Sequence, residues 1–297
     1  MKELPRYAVG DCLSIMKTWP DQCVDLVFTS PPYCARRTYG IGFNLTGQAW
    51  VDWAFERYLE CLRICRGLVA WVVQGPTERF RWCATPALLM ADLHRAGVHL
   101  RDCAFYHRFG IPGSGGPDWL RHDIEYVICA SPGRLPWADS TAMGHPPKWS
   151  PGGELSYRMP NGRRVRRIHT KRTESGWMVS QGYNPPELAN PGNLIDCGAV
   201  GGGNIGSKLA SLNEAPFAED LAEFFVRSFC PPSPGIVCDP FAGSGTVGAV
   251  ALKAGRLFSL LDIRPDQVQL CRRRVLEARS KMGIQTAQVP QDNGVVA

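Results

Sequence analysis

Thr29-Ser30-Pro31-Pro32-Tyr33 closes the first strongly apolar run of the chain, Val24-Asp25-Leu26-Val27-Phe28. A strand that meets two prolines cannot extend its hydrogen-bond ladder, so the chain halts with a small hydroxyl before the turn and an aromatic face after it. That combination suits holding a flat ring by its own amino group. Taken alone, a Pro-Pro pair marks only a turn.

A second group of residues lies some two hundred positions downstream. Val237-Cys238-Asp239-Pro240-Phe241-Ala242-Gly243-Ser244-Gly245-Thr246 reads as a strand, Gly235 to Cys238, running into a glycine-rich loop and then a small-residue helix from Thr246 to about Ala254. Gly243 and Gly245 permit a tight turn and close backbone approach to a ligand. A further strand, Arg256 to Leu261, ends at Asp262. An acid at that strand tip, roughly 20 residues after the loop, is where an adenosine ribose is gripped through its hydroxyls.

The elements that must position these groups alternate along the chain. Tyr7 to Gly10 reads as a strand, Cys12 to Met16 as the start of a helix, and Val24 to Phe28 as a buried strand. Trp50, Trp53, Ala54, Tyr58, Leu62 and Cys65 recur at helical spacing, and Leu68 to Val73 follows as a buried strand. A helix over Thr85 to Ala96 and strands near Leu100 to Tyr106 and Ile124 to Ala130 continue the alternation. Such a pattern predicts a doubly wound α/β protein with a mostly parallel sheet and ligands at the carboxyl ends of its strands.

Composition sets outer bounds. At 297 residues, 44% hydrophobic and 20% charged, the chain builds a core and is not a disordered polymer. No apolar run reaches the roughly 18 residues of a membrane span, and the N-terminus lacks a signal-peptide core, so a cytoplasmic protein is expected. Twelve cysteines are scattered without a Cys-x-x-Cys pair, which argues for buried free thiols and no metal site. Cys34, beside the Pro-Pro turn, reads as a packing residue. Charge is uneven: between Ser140 and Asn190 eight Lys or Arg face three acids, so nearly all of the net charge of +6 sits there. Concentrated positive charge is the footprint of phosphate binding, and the interleaved Trp149, Tyr157, His169, Trp177 and Tyr183 either pack the module or contact bases. Arg163, Arg164, Arg166 and Arg167 follow the turn signal Asn161-Gly162, and Lys171 and Arg172 come just after.

Together the two motifs resemble those of the S-adenosylmethionine-dependent DNA amino-methyltransferases, which act at adenine N6 or cytosine N4. Ser30-Pro31-Pro32-Tyr33 is similar to the family's catalytic signature, and Asp239-Pro240-Phe241-x-Gly243-Ser244-Gly245 to its cofactor loop. Val9-Gly10-Asp11-Cys12 resembles the element before the catalytic strand, Ala215-Pro216-Phe217 with Leu221 the lead into the cofactor strand, and Tyr39-Gly40 a pair recurring after the catalytic motif. Asn213 and Ala218 depart from the pattern, standing where His and Pro are common. Catalytic motif before cofactor loop is the order of the β subgroup.

The resemblance implies a seven-stranded sheet with one antiparallel strand, entered in permuted order. It implies a catalytic domain over 1–132 and 191–285, a target-recognition insert over 133–190, and a flexible tail over 286–297. Ser30, Pro31, Pro32 and Tyr33 would be catalytic. S-adenosylmethionine would be held by Asp11, Cys12, Phe217, Asp239, Phe241, Gly243, Ser244, Gly245 and Asp262. Arg163, Arg164, Arg166, Arg167, Lys171 and Arg172 would bind double-stranded DNA. Adenine N6 stands slightly ahead as the target because it is the more frequent product, with cytosine N4 nearly level because Ser occupies the first catalytic position. RNA or protein-glutamine methylation, or a non-catalytic nucleic-acid-binding module, are remoter alternatives. A homodimer and a separately encoded restriction endonuclease are left open as partners.

Overall fold

In the computed structural model, residues 4–34, 39–108, 118–148, 155–167, 169–172, 178–181, 186–198, 205–213 and 215–283 are described. The chain divides into two compact units, 1–139 with 192–297, and 140–191. In chain order the elements are β1 (Tyr7–Val9), α1 (Cys12–Met16), β2 (Val24–Thr29), α2 (Gly47–Ile64), β3 (Cys65–Val73), β4 (Thr77–Glu78), β5 (Arg81–Trp82), α3 (Thr85–Arg95), β6 (Ala104–His107) and β7 (Ile124–Ala130). The second unit contributes β8 (Leu155–Arg158), β9 (Arg164–Arg167), β10 (His169–Arg172) and β11 (Met178–Gln181). The first unit resumes with β12 (Leu194–Asp196), α4 (Glu219–Phe229), β13 (Ile236–Asp239), α5 (Thr246–Lys253), β14 (Leu257–Asp262) and α6 (Pro265–Lys281).

The central sheet runs β1-β14-β13-β2-β3-β7-β6-β12. Only β7 opposes its neighbours, pairing antiparallel with both β3 and β6. All six residues of β2 are buried, as expected of a central parallel strand covered on both faces. Even its one acid is satisfied: Asp25 accepts both arms of Arg66, at 2.6 and 2.8 Å, and the Ile236 amide at 2.9 Å. Two apolar layers cover the sheet. Leu221, Phe225, Val247, Val250, Cys271 and Val275 from α4, α5 and α6 pack on one face. Met16, Trp50, Tyr58 and Leu89 from α1, α2 and α3 pack on the other.

Two expectations need correction. Among the described residues the sheet has eight strands, not seven, because β12 adds parallel to β6, with Ile195 opposite Tyr106, and covers an edge that would otherwise expose unpaired backbone groups. The first unit also extends past 132 to Asp139, whose amide donates to the Ser228 carbonyl at 2.9 Å while Leu135 packs on the core. The expected tail, 286–297, lies outside the described residues.

The arrangement places the two sequence motifs side by side. Val237 and Cys238 of β13 pair with Leu26 and Val27 of β2. From β13 the chain winds outward through β14, and from β2 it winds outward through β3 in the opposite sense. The β13/β2 junction is therefore the topological switch point, where a crevice opens at the strand ends. Within the second unit, β8 and β9 form an antiparallel hairpin turning at Asn161-Gly162, where Gly162 takes φ +82°, and β10 pairs antiparallel with β11. Among the described residues, no helix is long and apolar enough to cross a membrane.

Candidate active site

Beyond Thr29, β2 breaks at Pro31-Pro32 and the turn is tied down on three sides. Trp50 Nε1 donates to the Pro32 carbonyl at 2.8 Å, and the Tyr33 amide donates to Tyr39 Oη at 3.0 Å. Ser30 Oγ lies 3.3 Å from the Val72 carbonyl and 3.2 Å from Tyr33 Oη. Tyr33 Oη donates in turn to Glu125 Oε2 at 2.6 Å. Burial, reinforced by the Glu125 charge, pushes the Tyr33 phenol well above its ordinary range, so it stays a donor. Arg108 closes the far side, with Nη2 2.5 Å from Glu125 Oε1. A directed chain results, from Ser30 hydroxyl to Tyr33 hydroxyl to the buried Glu125 carboxylate. Once the Ser30 proton is committed to Tyr33 or Val72, the Oγ lone pairs are left to accept. The Pro31 carbonyl has no hydrogen-bond partner among the described residues and is a second acceptor.

The loop after β13 is organised by two acids. Asp239 is buried, and its Oδ1 accepts from Thr29 Oγ1 at 2.5 Å and from the Phe241 amide at 3.1 Å. One carboxylate thus joins the residue before Ser30 to the loop after β13. Burial pushes that carboxyl up to about 7, against the hydrogen bonds, which lower it. Asp262, at the end of β14, accepts the Gly243 amide at 3.0 Å on Oδ2 and the Arg264 amide at 2.9 Å on Oδ1. Its carboxyl is also raised, mainly by burial. Gly243 has φ +51°, and a Cβ there would come within 2.7 Å of Asn213 Nδ2. Behind the loop, buried Arg274 donates to Ser244 Oγ at 3.0 Å and Thr246 Oγ1 at 2.8 Å, and pairs with Glu219 at 3.0 Å.

Asp11 caps α1, accepting from the Ser14 amide at 3.1 Å, and pairs with Arg57 at 2.8 Å. Burial alone would raise its carboxyl, but Arg57 and the Ser14 amide together hold it below the usual range. Arg57 lies over the Trp53 ring, 4.5 Å from the centroid.

A single cleft of about 270 Å³ joins these pieces. Asp11, Cys12, Ser30, Pro31, Pro32, Tyr33, Phe217, Phe241, Gly243, Ser244 and Asp262 all line it. Asp239 and Gly245 do not. Asp239 acts from behind the wall, and Gly245, at φ +77°, packs against Cys271, where a Cβ would meet Cα at 2.8 Å. Arg163 and Arg164 are exposed on the β8/β9 hairpin of the second unit. The side chains of Arg166, Arg167, Lys171 and Arg172 lie outside the described residues. Cys34 is buried, with its thiol pushed up to about 11 chiefly by burial, as suits a packing residue. No cluster of three or more metal-ligating side chains occurs among the described residues.

A crevice at a switch point, walled by a Ser-Pro-Pro-Tyr turn and an acid-organised glycine loop, has a counterpart among known proteins. The family model described as DNA methylase, of the N6/N4 type, matches residues 24–273. The chain belongs to the N6/N4 DNA methylases. It is thus a DNA amino-methyltransferase of the adenine-N6 or cytosine-N4 type, and S-adenosylmethionine is the family's methyl donor. The methylase is 26% identical to the DNA adenine methyltransferase YhdJ of Escherichia coli (strain K12) over 278 residues, covering 90% of this chain and 81% of that protein. To the type II methyltransferase M.PvuII of Proteus hauseri it is 23% identical over 295 residues, covering 88% and 80%. Its fold superposes on the structure of PvuII DNA methyltransferase (cytosine-N4-specific) with a TM-score of 0.64 at 19% identity, covering 95% of this chain and 94% of that one.

The methylase site also contains residues that sequence reasoning missed. Glu125, Arg57 and Arg274 reach the site from a strand and two helices distant in sequence, Arg108 from the residue after β6, and none sits in a motif. Trp53 was placed only on a helix face, yet it lines the cleft. Asn213, noted only as a departure from the pattern, also lines it.

Proposed function

We propose that the methylase transfers a methyl group from S-adenosylmethionine to the exocyclic amino nitrogen of a base flipped out of duplex DNA. The observation that carries this reading is the shared cleft: the Ser30–Tyr33 turn and the Gly243–Asp262 corner line one cavity. When bound, S-adenosylmethionine supplies an electrophilic methyl group on a positively charged sulfur. The residues present fit it. Asp262 offers a carboxylate to ribose hydroxyls, Phe217 and Phe241 give apolar walls, and glycine at 243 keeps space that a Cβ would close against Asn213. Asp11, already charged and oriented by Arg57, suits an adenine amino group.

An exocyclic amine is a poor nucleophile because its lone pair is conjugated into the ring. Ser30 Oγ and the Pro31 carbonyl accept its two hydrogens and favour a tetrahedral nitrogen. The Tyr33–Glu125–Arg108 chain fixes Ser30 as acceptor, and the Tyr33 ring offers a stacking face to the flipped base. Contacts that hold the base in the cleft beside the bound donor would contribute proximity.

Adenine N6 is our reading of the target, in keeping with the likeness to YhdJ over 90% of the chain. Ser30 and the fold shared with the cytosine-N4-specific PvuII enzyme favour cytosine N4 as a second reading. The 140–191 unit, which carries most of the net charge, is the target-recognition region in this scheme, with Arg163, Arg164, Arg166, Arg167, Lys171 and Arg172 on the DNA. The protein then works in the cytoplasm, alone or as a dimer, with or without a separately encoded endonuclease. A transfer assay with tritiated cofactor on DNA, RNA and protein tests this. Label is expected in DNA alone, lost with Tyr33→Ala while cofactor binding persists; label in RNA or protein alone would refute it.

A further inference from the structure

A second concavity, a groove of about 780 Å³, opens at the end of β3 and the start of β7. Those same strand ends supply the Val72 carbonyl and Glu125. One wall of the groove is the hairpin β4–β5, closed by only two residues, Arg79 and Phe80, with Glu78 paired to Arg81. Both turn residues adopt positive φ, +47° and +63°. A two-residue hairpin turn demands this, and Asn-Gly meets the demand without strain, whereas an arginine and a phenylalanine do not. Bulky side chains in such a conformation are strained and persist only where the surroundings over-determine it.

The tip presents those side chains outward. Phe80 is 78% exposed, and across the groove Trp119 and Leu120 are exposed to 76% and 78%. Arg79 and Arg81 are exposed on either side of Phe80, and neither has an ion-pair partner among the described residues. The base of the hairpin is firmly anchored. The Cys83 amide donates to the Pro76 carbonyl at 2.8 Å, and Trp82 stacks on Tyr126 with centroids 6.1 Å apart. Cys83 Sγ lies 3.5 Å from the sulfur of Cys34, the residue after Tyr33. The base of the hairpin thus touches the residue that follows the Ser30–Tyr33 turn.

An exposed ring between two unpaired guanidiniums, on a strained and anchored tip, matches a partner that is anionic outside and apolar within. Stacked base pairs between phosphate backbones have that chemistry, and apolar side chains inserted between base steps are a known way to unstack a duplex. We propose that Phe80 is a wedge that enters duplex DNA at the target base pair and fills the space the flipped base vacates, with Arg79 and Arg81 on the flanking phosphates. The wedge rests on the base-flipping reading above. It lowers the cost of extruding a paired base and does nothing for a base already unpaired.

Two variants test it in the full-length protein. Phe80→Ala removes the ring, and the double substitution Arg79→Asn with Phe80→Gly replaces the tip by the turn that hairpins favour, so the fold is kept or strengthened. Methyl transfer is measured on a duplex carrying the methylated sequence, read by sequencing treated DNA, and on the same duplex with a mismatch opposite the target base. The expected result is at least a tenfold loss on the paired duplex, a loss below threefold on the mismatched one, and unchanged S-adenosylmethionine affinity. Wild-type rates on the paired duplex would overturn the wedge alone, as would equal losses on both duplexes. A changed sedimentation coefficient with an unchanged rate would make the surface an interface between copies and overturn it too. Wild-type protein inactive on all DNA would overturn the underlying reading and the wedge with it.

Discussion

Removing the Tyr33 hydroxyl while keeping its ring separates stacking from orientation. In Tyr33→Phe the 2.6 Å hydrogen bond to Glu125 and the 3.2 Å contact with Ser30 disappear, and Glu125 keeps Arg108 at 2.5 Å. A hydrogen bond to a buried charged group is worth about 1.5–3 kcal/mol, and Glu125 Oε2 would be left buried without its donor. Unfolding free energy should fall by about 2 kcal/mol, a drop in melting temperature of roughly 4–8 °C. Ser30 loses one of its two proton acceptors, so its lone pairs are less firmly aimed. We expect kcat to fall about 10–100-fold, equivalent to roughly 1.4–2.8 kcal/mol of barrier, with S-adenosylmethionine affinity unchanged. Glu125→Gln turns one carboxylate oxygen into an amide donor facing either Arg108 or Tyr33. A cycle of the two substitutions, read by denaturant unfolding and by kcat, should return a coupling of about 1.5–3 kcal/mol. Coupling below about 0.5 kcal/mol, or full kcat in Tyr33→Phe, would refute the directed chain.

Other consequences follow from the two acids of the loop and their neighbours. The Asp239 carboxyl is raised from 3.8 to about 7, so between those values the folded protein binds a proton that the unfolded chain does not. Its stabilising effect is full below pH 4 and lost as pH rises through 7. Chemical denaturation should therefore show stability falling between pH 4.5 and 7.5 by up to about 4 kcal/mol, and Asp239→Asn should flatten that slope. Asp262→Ala strips an acceptor from the Gly243 and Arg264 amides as well as the ribose contact; calorimetry should show S-adenosylmethionine binding at least about 100-fold weaker, near 2.7 kcal/mol. Gly243→Ala places a Cβ 2.7 Å from Asn213 Nδ2 at a positive φ, so cofactor affinity and about 1–2 kcal/mol of stability should be lost together. Cys34→Ala should keep most activity, since amine methylation needs no thiolate and this thiol is buried and neutral.

The parts of the site legible in the sequence were those whose chemistry is local. Pro31-Pro32 ends a strand wherever it occurs, and a glycine loop with an acid about twenty residues on carries its own geometry, so the turn, the loop and Asp262 were all readable. Partners brought in by strand pairing were not. Glu125 sits in an ordinary strand between Ile124 and Tyr126, and only the antiparallel pairing of β7 with β3 carries it to Tyr33. For Asp239 the resemblance implies a cofactor contact, and its hydrogen bond from Thr29, which depends on the pairing of β13 with β2, has no local signal. The eighth strand was hidden for a similar reason, since Leu194–Asp196 is three residues long and exists only because β6 offers an open edge. Phe80 carried no signal either, because an Arg-Phe hairpin turn contradicts the turn chemistry on which sequence reading relies.

The most direct test is mass spectrometry of nucleosides from unmethylated DNA incubated with the pure protein and isotopically labelled S-adenosylmethionine. Labelled N6-methyldeoxyadenosine is expected, and N4-methyldeoxycytidine would keep the mechanism while changing the base. In either case the label should disappear when Ser30-Pro31-Pro32 is replaced by alanines with cofactor binding intact. Label on a ring carbon, no label in DNA, or undiminished labelling by the alanine variant would contradict the assignment of this cleft to amino methylation.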